Sequence, residues 1–179
     1  MQIPCLLMYE LLHSIRHAGP LQSTVSLGTP EDRCKFWQRS MAEGRATARD
    51  LTIPRSQWHE LVPCFFHMDG AEFYRNSEFL VWSWCAATSE ATNIWDFKFV
   101  YTMLPSLLCH VKSVFSKVNE AVAKLVGWDF GVCQSGRGAE VGYEGKKFKP
   151  LTLLRAKLAG QPLGIRAAFA GMKADGNTP

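Results

Sequence analysis

The block Val62-Pro63-Cys64-Phe65-Phe66-His67-Met68-Asp69-Gly70-Ala71-Glu72 stops an apolar run on an aspartate, and the segment from Ile165 ends in the same way on Asp175-Gly176. Each reads as a buried strand with a carboxylate at its C-terminal end. Two such carboxylates on neighbouring strands can hold one or two hard divalent cations, Mg2+ or Mn2+, through oxygen. Ions held in this way activate a water or hydroxyl and stabilise the leaving oxygen of an in-line displacement, so the chemistry open to Asp69 and Asp175 is phosphoryl transfer. The competing reading of either Asp-Gly is a turn that closes a strand.

The elements that must position this pair divide near residue 57. Before it, Cys5 to His17 sets Leu7, Met8, Leu11, Leu12 and Ile15 on one helical face, with Gly19-Pro20 as its end. Thr29-Pro30-Glu31-Asp32 supplies an N-cap, a proline at the first helical position and acids for the first turn of a second helix, which runs to about Gly44. Arg45 to Gln57 is polar and broken by Pro54, and reads as a linker. Residues 1–57 are thus expected to be a helical segment and linker, and residues 58–179 an α/β domain.

Within the second part the period becomes extended. Strands are expected at Leu61 to Met68, Glu78 to Ala87 and Phe97 to Leu104, close enough for an antiparallel meander. Apolar residues from Leu107 to Leu125 then recur at helical spacing, with Gly127 as a stop, followed by a glycine-rich basic loop over Cys133 to Lys149. A short helix over Pro150 to Ala159 and a strand over Ile165 to Lys173 complete the order. A helix between the third and fourth strands can return the fourth strand parallel to the first and beside it. The expected fold is therefore a mixed α/β sheet of three antiparallel strands, a crossover helix and a fourth strand parallel to the first, preceded by an α-helical segment.

This order, the two terminal aspartates, His67-Met68-Asp69-Gly70, Trp82-Ser83-Trp84, Gly160-Gln161-Pro162-Leu163 and Ala167 to Asp175 resemble a mobile-element-derived protist family and the ribonuclease H-like domain of DDE transposases and retroviral-type integrases. The resemblance spans roughly residues 58 to 176. It implies that Asp69 is the first metal-binding acid and Asp175 the second, with Mg2+ or Mn2+ as cofactor, DNA as partner and a nuclear setting. It also implies a third acid on a helix after a fifth strand, whereas this sequence stops four residues beyond Asp175. Strand transfer or hydrolysis by this chain alone is accordingly not expected. The alternative is a non-catalytic interaction domain in which both aspartates merely end strands.

Other residues bound the function more loosely. With 179 residues, 47% apolar and 12% aromatic, the chain can bury one sizeable core. Six cysteines without a CxxC pair suit a reduced, intracellular protein, and no apolar run approaches the roughly 18 residues of a membrane span. A net charge of +4 permits contact with nucleic acid, for which Lys146, Lys147, Lys149, Arg155 and Lys157 are candidates, although a solvated loop and helix face explain them equally. Glu72 and Asp96 lie near strand ends and can add to the acidic pair or occupy solvated turns. Cys64 and His67 make a CxxH half-site that would bind zinc only with a second pair; the simpler reading is a core cysteine and a strand-end histidine. Trp82 and Trp84 share one side of their strand and are expected to pack on the long helix. The glycines of the basic loop match no phosphate-binding loop, and no histidine has a serine or cysteine at triad spacing.

Overall fold

Thr29 starts the best-specified helix of the chain: its side chain accepts from the Asp32 N–H at 3.1 Å while the Asp32 carboxylate accepts from the Thr29 N–H at 3.3 Å. This reciprocal capping satisfies two donors that the first helical turn leaves unpaired. The computed structural model describes residues 5–73, 77–92, 98–105, 112–148 and 153–172. In chain order its helices are α1 (Met8–His17), α2 (Pro20–Leu27), α3 (Pro30–Ala42), α4 (Ala46–Arg49), α5 (Lys112–Ser135) and α6 (Leu153–Leu158). A 3-10 helix over Arg55–Glu60 leads into β1 (Leu61–Phe73), followed by β2 (Ser77–Ala86) and β3 (Lys98–Pro105), with β4 (Arg166–Met172) after α6.

The sheet order is β3-β2-β1-β4. β1 and β2 pair antiparallel from Cys64↔Ala86 to Phe73↔Ser77, β2 and β3 pair antiparallel, and β4 lies parallel to β1 from Leu61↔Arg166 to Phe66↔Met172. The mixed sheet with a crossover helix, expected from the pattern of the sequence, is the observed topology. Successive side chains of a strand face opposite sides. Val62, Cys64, Phe66, Trp82, Trp84 and Ala167 accordingly join one core with Tyr9 and Leu12 of α1 and Val118, Val122 and Phe130 of α5. Leu61, Ala168 and Ala170 join a second core on the other face with Trp37 of α3, Ala48 of α4, Ile53 and Trp58. The two tryptophans of β2 thus lie in the core that also receives the long helix, with Trp82 against Phe66 and Trp84 against Phe99.

Three boundaries differ from the sequence expectations for physical reasons. β1 does not end at Met68, because cross-strand pairing to β2 carries it through Asp69 and Gly70 to Phe73 and overrides the turn preference of Asp-Gly. The long helix continues through Gly127 to Ser135, since Phe130 and Cys133 bury in the first core. That packing outweighs the roughly 1 kcal/mol that a mid-helix glycine costs. The stretch read as a polar linker folds as α4 and the 3-10 helix, with Ala48, Ile53 and Trp58 buried. α2, starting at Pro20 directly after the α1 stop, was hidden because Pro20 serves both as breaker and as first helical residue.

The turn from α2 to α3 requires glycine. Gly28 has φ +77°, and a Cβ there would lie inside the van der Waals shell of the Thr88 carbonyl oxygen. Its own carbonyl accepts from Arg33 Nη2 at 3.0 Å, while Thr88 Oγ1 donates to the Leu27 carbonyl at 2.7 Å. Gly28→Ala is expected to destabilise the protein by about 2 kcal/mol through backbone strain and displacement of the Thr88 segment. Urea denaturation followed by far-UV circular dichroism measures this; an unchanged midpoint would show that the junction yields freely.

Candidate functional site

Asp69 lies on the face of β1 that carries Phe65 and His67, the side covered lower down by α3. Its position differs from the expected strand end: it is an interior residue of β1, paired with Val81 of β2, which in turn pairs with Met103 of β3. Asp69 is half-buried and Met103 is 43% exposed, so this row lies beyond the helical cover and is reached by solvent. The parallel pairing with β4 ends at Phe66↔Met172, three residues before Asp69. Asp175 and Asp96 lie outside the described residues. Glu72 is a β1 residue in register with Glu78.

Among the described residues, no group of three or more His, Cys, Asp or Glu side chains is placed to hold a metal ion. The CxxH half-site is also separated. Cys64 and His67 are three apart on a strand and so face opposite sides, with Cys64 fully buried in the first core and desolvation holding its thiol well up. His67 instead meets Cys85 across the sheet, Nε2 to Sγ at 3.4 Å, both side chains being buried. This pair was invisible to spacing because it depends on the register Phe65↔Cys85.

The basic candidates are divided by their partners. Lys146 is exposed and pairs with Glu144 at 2.8 Å, and Arg155 pairs with Glu10 of α1 at 2.5 Å. Lys147 and Lys157 are exposed and Lys149 lies outside the described residues. Exposed pairs of the Lys146 kind add little stability and remain available to compete for phosphate. Arg155 is more committed, because it ties α6 to α1.

Among the described residues, the most perturbed carboxylate is one that sequence reasoning missed. Asp129 of α5 is buried and accepts from the backbone N–H groups of Met8 at 2.6 Å and Tyr9 at 3.2 Å. It caps α1 from a distant helix, where Leu7 at the N-cap offers no side-chain acceptor. Desolvation raises its pKa to about 6, opposed by those two hydrogen bonds. The Tyr101 phenol lies beside it without completing a hydrogen bond, and burial first, with Asp129 second, pushes that phenol's pKa upward. The only sequence signal was a carboxylate inside the run Val126-Gly127-Trp128-Asp129-Phe130.

No helix among the described residues is long and apolar enough to cross a membrane. Comparison with models of protein families, with curated proteins and with solved structures finds no match to this chain.

Proposed function

We propose that this chain is a ribonuclease H-like scaffold derived from a transposase-like, metal-dependent phosphoryl-transfer enzyme, in which Asp69 and Asp175 form a cation site. The observation that supports the reading is the parallel register of β1 and β4. The described pairing runs to Phe66↔Met172, three residues short of Asp69 on β1, and Asp175 lies outside the described residues. Neighbouring strands lie about 4.8 Å apart, within reach of one shared ion. Two carboxylate oxygens suit Mg2+ or Mn2+, which keep several waters and need few protein ligands. Bound there, the ion would supply charge neutralisation for a phosphoryl oxygen and an acidified water. In the same reading DNA phosphates are met by Lys146, Lys147, Lys149, Arg155 and Lys157, with Lys147 and Lys157 contributing most because the paired cations must first give up Glu144 and Glu10.

A second reading, a non-catalytic interaction domain, draws support from Asp69 being an interior strand residue in one row with Val81 and exposed Met103. Manganese titration separates the two. Calorimetry is expected to show one Mn2+ site that weakens by about tenfold or more in Asp69→Asn and Asp175→Asn, roughly 1.4 kcal/mol. Asp50→Asn, at the exposed end of α4, is expected to leave it unchanged. A folded protein that takes up no Mn2+ would establish the interaction reading instead.

A further inference from the structure

The junction of α1, α2, α3 and the 3-10 helix encloses an open cavity of about 270 Å3 whose wall carries Arg16, Arg33 and His59, the hydroxyl residues Ser23 and Thr24, and Glu60. Arg33 is only 7% exposed, yet its guanidinium meets no carboxylate there. Nη1 donates to the His59 carbonyl at 3.0 Å, Nη2 donates to the Gly28 carbonyl at 3.0 Å, and the buried Nε donor is without a partner. A buried charge held by neutral carbonyls alone carries most of its desolvation cost uncompensated.

The surroundings add positive charge. Arg16 is exposed, makes no ion pair among the described residues, and lies close enough to Arg33 to disfavour its protonation, second only to burial. Glu60 is the carboxylate on the wall, and its oxygens stand 3.7 Å from His59 Nε2 and 3.7 Å from Arg166 Nε. Asp32, the next acid, is engaged in the α3 cap. Two guanidiniums, Arg16 and Arg33, therefore share the wall of a cavity edged with hydroxyls with a single carboxylate, Glu60, which Arg166 approaches from outside the wall. We infer that this cavity is an anion site for a phosphate group, either inorganic phosphate or the monoester of a small molecule. A dianion with several acceptor oxygens balances the excess charge and engages guanidinium forks and hydroxyls together, which a monocarboxylate does not. The volume, just under the usual range of small-molecule sites, admits a phosphate with a short substituent.

The site shares no residue with the Asp69 row, so it stands or falls separately from the cation site. Calorimetry on the full chain with inorganic phosphate, glycerol phosphate and acetate tests it. Phosphate or its ester is expected to bind at least tenfold more tightly than acetate, with Arg16→Gln weakening and Glu60→Gln tightening the preferred ligand several-fold. Both changes lie on exposed or half-exposed side chains, and circular dichroism confirms that the variants remain folded. Tighter binding of glycerol phosphate than of inorganic phosphate assigns the site to an ester, and the reverse order assigns it to free phosphate. Equal affinity for phosphate and acetate, or affinities unmoved by both substitutions, would overturn the inference.

Discussion

Asp129→Ala is expected to destabilise the protein by about 3 kcal/mol, and by more at pH 5 than at pH 7. The substitution strips the acceptor from two buried donors, the Met8 and Tyr9 N–H groups, and opens a void between α5 and α1. An unsatisfied buried donor costs about 1–3 kcal/mol. Relief from burying a carboxylate offsets part of that loss at neutral pH. The pH dependence follows from the direction in which the pKa moves. The folded-state pKa, about 6, stands above the ordinary carboxylate value, so the native state binds the proton more tightly than the unfolded chain does. The linked stabilisation is complete below about pH 4 and is lost as the pH rises through 6. Between those limits it amounts to roughly 3 kcal/mol, since each tenfold gain in proton affinity on folding contributes about 1.4 kcal/mol.

Asp129→Asn isolates the titration, since an amide retains one acceptor and has no proton to lose. In urea midpoints measured from pH 4 to pH 7, the wild type is expected to lose stability relative to this variant as the pH rises. A constant separation across that range would mean that Asp129 ionises as an ordinary surface acid and that its burial costs nothing.

Asp129 also shows why the site was harder to read than the sheet. The strands announced themselves through local composition: Phe, Val, Trp and Tyr in short runs, with side chains alternating between two cores. The capping box of α3 was equally local, four residues in a row. Most of what was misread depended on a partner distant in sequence. Gly70 looked like a stop because its pairing with Leu80 cannot be seen from Asp-Gly alone. Gly127 looked like a stop because the buried contacts of Phe130 and Cys133 lie beyond it. The role of Asp129 is defined by a helix start 120 residues earlier, and His67 finds Cys85 only through the register of two strands. Ala48, Ile53 and Trp58 lack any regular period, so their burial beside Trp37 left no periodic trace.

Trp37→Ala is expected to cost about 4 kcal/mol. Trp37 is fully buried, packs edge-on against Phe36 with ring centres 5.2 Å apart, and donates from Nε1 to the Leu61 carbonyl at 2.8 Å. Leu61 opens β1, so this one side chain fastens α3 to the strand that carries Asp69. On β4 the facing residues are Ala168 and Ala170, small enough to leave room for the indole but unable to refill the space it vacates. Trp37→Phe, which retains most of the ring area and loses the donor, is expected to cost about 1–2 kcal/mol. It serves as the working variant if the alanine protein fails to fold. Leu61 and Val62 are adjacent and face the two different cores, which makes β1 the common wall of both. Loosening α3 should therefore weaken the α1 side as well, giving one transition with a lower urea midpoint and an unchanged slope by fluorescence and circular dichroism alike. Two separated transitions would instead mean that residues 1–57 open as a unit of their own. In that case α3 would be a detachable cover over the Leu61 and Phe65 end of that face, rather than part of what holds it in register.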